Sequence, residues 1–302
     1  MDNLCHTLAG AAIGEAGLKG RTRFGNPALI IAANLPDVDV LVFLTGTPPV
    51  AFRRGWTHGV LAQALLPLAL AAILLAWDRW RPRRDPAGPP ARAGMLIAIG
   101  YIGVLSHVLL DYLNNYGVRL LMPFSSRWFY GDTLFIVDIW LWLILGAGVY
   151  WSRRRHRPTE ARRALFAATV YIVVMFVSAR ASRQIVLHEW VAEHGTVPAS
   201  LMVGPLPVTP LSRVVIVDAG NHYETSRFSW LSPHGLSGAE RWPKRTDRAV
   251  QIAREVPAIR ALLSWSRFPY FDLEREGSAD RVTFTDLRFG RLVGETTLIV
   301  PH

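Results

Sequence analysis

Four stretches of this chain, residues 59–77, 95–113, 133–151 and 163–181, are long and apolar enough to cross a hydrocarbon core of roughly 30 Å, which takes about 20 residues of helix. With 51% apolar side chains over 302 residues, the chain is oily for a wholly soluble protein, so these segments set the fold class. They predict an α-helical polytopic membrane bundle of about four clear spans. Two shorter apolar stretches precede them, 4–18 and 27–44, on either side of the basic turn Lys19-Gly20-Arg21-Thr22-Arg23. Pro36 and two aspartates interrupt this pair, which reads as an N-terminal helical hairpin or a re-entrant element.

The pattern changes near residue 184. Hydrophobic runs shorten, Pro and Gly become frequent, and β-rich stretches appear at 213–217, 281–284 and 296–300. Among them lies one amphipathic helix, about 247–265, with Val250, Ile252, Val256, Ile259, Leu262 and Leu263 available for a core. The expected organisation is a membrane-embedded domain over 1–183 and a small α+β domain over 184–302.

The net charge of +10 could suggest nucleic acid, but much of the arginine lies in two runs, around Arg81, Arg83 and Arg84 and over Arg153–Arg157, each following an apolar stretch. Those are topology signals, and no nucleic-acid partner is expected. By the positive-inside rule the loops 78–94 and 152–162 are cytoplasmic, and the C-terminal domain is then extracytoplasmic. The localisation this implies is a bacterial-type cytoplasmic membrane, crossed several times, with membrane lipids as the immediate partners. A topology reporter fused at the C-terminus should report an extracytoplasmic location; a cytoplasmic signal would invert the orientation. The N-terminus lacks the basic segment, apolar core and small-residue site of a cleavable signal.

Cys5 is the only cysteine, so an intrachain disulfide and a CxxC zinc site are excluded and any metal must rest on imidazole and carboxylate. His107 and Asp111 are four apart within a predicted span and so project from one helix face. Such a pair either grips a metal or forms a hydrogen-bonded tie between helices. Each ionisable group there costs on the order of 2.5–3.5 kcal/mol to insert, which marks it for function. Asp37 and Asp39 follow Pro36, where a disturbed helix frees backbone carbonyls, although Pro-Asp is also ordinary turn chemistry. His58 stands just before a span with Arg54 nearby as an anion clamp, in a segment that also suits an interfacial belt.

On the predicted topology His6, Asp37, Asp39, His58, His107 and Asp111 all fall on the outer side of one membrane. Imidazole with carboxylate suits zinc, manganese or iron, and six candidates exceed what one tetrahedral ion needs, which hints at a multinuclear centre. Asn115 lies eight residues past His107, near the same face if the helix continues. Asp132 and Asp138 are candidates for orienting ligand histidines, with helix capping the alternative for Asp132. The stretch His188 to His194 fails the HExxH pattern, because Ala192 stands where the second histidine belongs.

Taken in order, His6-Thr7, Asn34-x-Pro36-Asp37-x-Asp39, Arg54-Gly55-x-Thr57-His58 and Ser106-His107-x-x-x-Asp111-x-x-Asn114-Asn115-Tyr116-Gly117 resemble the YdjM-type inner-membrane metal-dependent hydrolases. The resemblance covers about the first half of the chain. That family in turn looks distantly similar to the zinc-dependent phospholipase C and P1 nuclease group. The resemblance implies metal ligands at His6, Asp37, His58, His107 and Asp111. This chain departs from the phospholipase and nuclease pattern in having no histidine between His107 and His156, which implies fewer metals.

The function expected is a membrane-bound hydrolase that activates water on a divalent metal, zinc before manganese or iron, against an ester or phosphodiester. A lipid-linked or cell-envelope substrate follows from the location. Asp37, His58, His107 and Asp111 hold metal, His6 and Asp39 complete or bridge the site, and Asp39, Arg54 and Asn115 are the candidate catalytic residues, Arg54 binding the anionic group. The alternatives are a non-catalytic protein that binds or conducts metal ions or protons, and a structural or regulatory membrane protein.

Overall fold

A computed structural model describes residues 1–45, 49–81, 88–232, 235–277, 279–290 and 296–301. Arg83 and Arg84 of the first basic run lie outside the described residues. The chain forms two compact units, one of Met1–Thr45 with Phe52–Phe176, the other from Val177 onward with the segment before Phe52.

In the first unit α1 (Asn3–Ile13) starts on Asp2, whose carboxylate accepts from the amides of Leu4 at 3.0 Å and Cys5 at 3.1 Å, and passes into a π-helical turn, Gly14–Leu18. Helix α2 (Gly25–Ala32) stops at Ala33 and Asn34, and the chain continues bent by 51° as a 3-10 helix, Leu35–Leu44. A short helix α3 (Pro49–Phe52) follows, then α4 (Val60–Trp80), α5 (Ala93–Tyr112), α6 (Ile139–Arg155) and α7 (Pro158–His194).

Helices α4, α5 and α7 are long and apolar enough to cross a membrane, and the bent pair of α2 with the 3-10 helix makes a fourth candidate. Only 17% of the apolar window of α4 and 22% of that of α7 is buried within the protein, so most of their apolar surface faces outward. Surfaces of that size need a lipid solvent. The predicted span over 133–151 is shorter than expected. Asp138 caps α6 by accepting from the Leu141 amide at 3.0 Å, so the helix begins at Ile139 and its 17 residues rise about 25 Å, short of the hydrocarbon core. The predicted loop 152–162 is in fact a tight corner: His156 takes a left-handed conformation after α6, and α7 starts two residues later on Pro158.

Small residues let the helices approach. A Cβ on Gly100 would stand 3.0 Å from Pro67 Cα in α4, and one on Gly103 would collide with the Ala32 methyl and come within 3.0 Å of the Ala33 amide nitrogen. Helix α5 is thereby held between α4 and α2, while α1 packs on α2 and α6 around Cys5, Ala9, Ala12, Leu110, Leu141 and Leu145.

The second unit carries two antiparallel sheets. Strands β1 (Ser200–Pro205), β2 (Ser212–Asp218), β3 (His222–Ser229) and β4 (Leu236–Pro243) form a meander, and β5 (Pro269–Glu276), β6 (Ala279–Asp286) and β7 (Thr296–Pro301) form the other sheet. The unbroken Val214-Val215-Ile216-Val217 run is explained by burial of both faces: Val215 and Val217 meet Val186 of α7, Leu201 and Val203, while Ile216 meets Met202 and Phe268. The helix predicted over 247–265 is two helices, α8 (Arg248–Glu255) and α9 (Pro257–Leu263), because Pro257 forces Val256 into an extended conformation. Val250 and Ile259 pack on Phe271, Val282 and Phe284, whereas Ile252, expected in that core, is exposed.

Candidate metal centre

The helix break after α2 begins the site. In a continuous α-helix the Asp37 amide would bond to the Ala33 carbonyl; here it bonds to Asn34 O at 3.1 Å, and Ala33 O is left free for a partner outside the helix. Pro36, which cannot donate, and the Asn34 side chain, bonded to Ile30 O at 2.9 Å and Thr7 Oγ1 at 3.0 Å, fix the break. The partner is His107 of α5, whose Nδ1 lies 2.7 Å from Ala33 O. A carbonyl only accepts, so Nδ1 carries the proton and Nε2 presents a lone pair.

His58 is fixed in the same way. The loop before α4 is stitched by Arg119, whose amide bonds to Arg54 O at 2.8 Å and whose guanidinium bonds to Arg53 O at 3.1 Å. His58 Nδ1 stands 3.0 Å from Thr57 Oγ1 and 3.5 Å from Asp39 Oδ2, and the Thr57 hydroxyl donates to the same Asp39 oxygen at 3.1 Å. With that hydroxyl proton used, His58 Nδ1 is the donor and its Nε2 is the second lone pair.

The two Nε2 atoms face each other at 3.1 Å. Asp37 Oδ1 lies 3.8 Å from His58 Nε2 and 3.9 Å from His107 Nε2, and Asp111 Oδ2 lies 3.2 Å and 3.5 Å from the same two atoms. All four ligand atoms fall within 4.8 Å of one another and all four residues are buried. A tetrahedral ion with arms of about 2.0–2.1 Å holds its donors roughly 3.3 Å apart, which these five spacings bracket. Four acceptors facing inward at 0–5% exposure repel one another unless a positive charge sits among them, so the donor set fits a divalent metal.

Of the five ligands the resemblance implies, the fold gathers Asp37, His58, His107 and Asp111 into one group and sets His6 beside it. The His6 ring stacks on His107 with centroids 3.7 Å apart, and its Nε2 is 3.3 Å from Asp111 Oδ1. Asp111 therefore shows Oδ2 to the group and Oδ1 to His6, to the Met1 amino group and to Arg54 Nη2 at 3.3 Å. Among the described residues His6 Nδ1 has no hydrogen-bond partner.

The three candidate catalytic residues occupy different places. Asp39 lies behind His58, accepting from the Arg54 amide at 2.7 Å and from Arg53 Nε at 3.4 Å, where it orients the imidazole. Asp39→Asn should retain the fold but weaken metal retention about 10–100-fold in a competition titration with a chelator; unchanged affinity would remove Asp39 from the site. Arg54, left-handed at φ 52°, spends its guanidinium on Asp111, on Asn114 Oδ1 at 3.2 Å and on backbone carbonyls, over the Tyr116 ring. It holds Asp111 in place. Asn115 is buried, but α5 ends at Tyr112, one turn short of carrying Asn115 along the His107 face.

It is Asn114 that reaches the cluster, with Oδ1 accepting from Arg54, from the Tyr116 amide at 2.8 Å and from the Gly117 amide at 3.1 Å. An asparagine three residues ahead of a glycine with φ 92° is the turn signal that could have singled it out. Asp138, besides capping α6, accepts from the Tyr171 hydroxyl at 3.0 Å.

Comparison with known proteins adds to this geometry. The chain is 21% identical over 300 residues to the "Uncharacterized protein YfhP" of Bacillus subtilis (strain 168), covering 96% of this chain and 87% of that protein. No solved structure matches. Residues 1–182, which contain the whole His and Asp cluster and the candidate membrane helices up to most of α7, match the family described as YdjM inner membrane protein, and the chain belongs to that family.

Proposed function

We propose that this membrane protein is a metal-dependent hydrolase of an ester or phosphodiester, with zinc as its metal ahead of manganese or iron. The observation that carries the reading is the convergence of four lone-pair atoms, two of them imidazole Nε2 atoms set by hydrogen bonds on the far side of each ring. When bound, a zinc-like ion would lower the pKa of a water toward about 7 and polarise the oxygen of the scissile group. Asp37, His58, His107 and Asp111 would hold it, with Ala33 O and Asp39 fixing the two rings.

The remaining roles fall to side chains around the group. His6, whose Nε2 faces Asp111 Oδ1 at 3.3 Å and whose Nδ1 has no hydrogen-bond partner among the described residues, would take a proton at Nδ1, a role Asp39 could fill only by releasing Arg54 and Thr57. Arg53 is the cluster's more open cation: its side chain is 26% exposed, 3.4 Å from Asp39 Oδ1, and its guanidinium lies over Phe43. It, in place of Arg54, would receive the anionic part of the substrate. The 3-10 helix that carries Asp37 and Asp39 inward exposes Val38, Val40, Leu41, Phe43 and Leu44 outward, which supports a lipid-linked or envelope substrate met at the membrane, on the extracytoplasmic side.

The test is hydrolysis of a panel of lipid-linked and soluble phosphodiesters and esters by detergent-purified protein. Turnover that chelation removes and zinc restores is expected. A protein holding stoichiometric metal yet turning over nothing in the panel would sink the hydrolase. It would favour the second reading, a metal-binding or metal-conducting protein, which the complete burial of His58, His107 and Asp111 supports, because structural metal sites are closed and catalytic ones keep an open position.

A further inference from the structure

At the other end of α1 from the metal cluster lies a second polar feature, independent of the hydrolase reading. Glu15 is nine residues beyond His6, about 13 Å of helix rise away. It is almost fully buried and paired with Lys19 and with Arg153 Nε at 2.9 Å. A cavity of about 390 Å³ opens here, lined by Glu15 itself with Lys19, Gly20, Ser152, His156 and Arg157. Arg162 borders the same wall, its Nε bonded to Ala16 O at 2.8 Å and its Nη2 3.3 Å from where a Cβ on Gly17 would stand. Glu15 is thus paired with Lys19 and Arg153, while Arg157 on the cavity wall and Arg162 at its border add positive charge around a concave space that Gly17 and Gly20 leave free of side chains.

The depth of this space is given by its neighbours. Tyr150 and Trp151, one turn before Arg153 and Arg154 on α6, are exposed and stacked edge to face, and Arg155 lies over the Trp151 ring. An aromatic pair followed at once by arginines marks the level of lipid headgroups. Basic hollows between helices at that level suit phosphate headgroups, each cation contributing about 1 kcal/mol. We propose that this cavity binds the phosphate of an anionic membrane lipid.

Gly20 makes the proposal testable without disturbing the fold, because a Cβ there meets nothing within 4 Å. The full chain in detergent is titrated with phosphatidylglycerol, phosphatidylcholine or inorganic phosphate, and bound lipid is read by native mass spectrometry. One saturable phosphatidylglycerol is expected, weakened about fivefold or more by Gly20→Asp and by Arg157→Gln, and unchanged by Gly20→Ala and by Arg154→Gln on the preceding helix. If Gly20→Asp did not fold, Arg157→Gln beside Arg154→Gln would carry the test alone. Equal weakening by Arg154→Gln, or equal binding of phosphatidylcholine, would overturn the site. Displacement of the lipid by an equal concentration of inorganic phosphate would overturn the lipid as its ligand.

Discussion

Detergent-purified wild-type protein should carry about one divalent ion per chain, and His107→Ala should carry almost none, a loss of affinity above about 100-fold. The size of the effect follows from the geometry. His107 Nε2 lies within 3.9 Å of each of the other three ligand atoms, so removing it opens one corner of the tetrahedron. Asp111 keeps Arg54 and the Met1 amino group as partners in the variant, so loss of metal is separable from loss of fold. Chelation should then lower the unfolding temperature of the wild type alone, since a ligand present at a thousandfold its dissociation constant contributes about 4 kcal/mol. His188→Ala, an exposed histidine of α7, is the control. Elemental mass spectrometry decides the matter: equal metal in wild type and His107→Ala would place the ion elsewhere, and none in either after zinc or manganese reconstitution would leave the cluster as a polar tie between helices.

Gly103→Val should damage the protein twice over. The Cβ alone collides with Ala32 and comes within 3.0 Å of the Ala33 nitrogen, so a branched side chain must push α5 away from α2, at a cost of about 3 kcal/mol. The same displacement separates His107 from the Ala33 carbonyl, now 2.7 Å from its Nδ1, and a ligand ring that loses its outer hydrogen bond commonly loses 10–100-fold in metal affinity, roughly. Gly94→Val, at the start of the same helix with nothing within 4 Å of its Cβ, should alter neither property. Thermal unfolding in detergent and a chelator competition titration read the two effects, and a Gly103→Val protein that matches Gly94→Val in both would refute the coupling of helix spacing to the site.

What the sequence made legible follows from the solvent. Ionisable residues inside apolar segments stand out because the membrane penalises them, and His107 with Asp111 at four-residue spacing needs only a helix to share a face. The convergence of Asp37 and His58 on that pair could be expected from topology, but not its atomic form. Which imidazole nitrogen faces inward depends on a carbonyl 74 positions away and on a threonine next door, contacts that no local spacing announces. Arg54 reads as an anion clamp in one dimension and turns out to be committed to Asp111, because its left-handed backbone points it inward.

The element boundaries depend on contacts of the same kind. The third apolar stretch looked like a full span until Asp138 capped it, and Asn115 looked aligned with His107 until α5 ended at Tyr112. The split at Pro257 was visible in the sequence, since the residue before a proline avoids helical angles, but the apolar period ran across it.

The bond of the Ala33 carbonyl to His107 exists only because the backbone has skipped from a four-residue to a three-residue step at Asp37. Were α2 to run on straight, the Asp37 amide would reclaim that oxygen and swing its own carboxylate away from the cluster. Straightening would therefore release any ion held there, and by reciprocity a bound ion would hold the kink: an emptied centre would be a looser hinge, and a stiffened hinge a tighter centre.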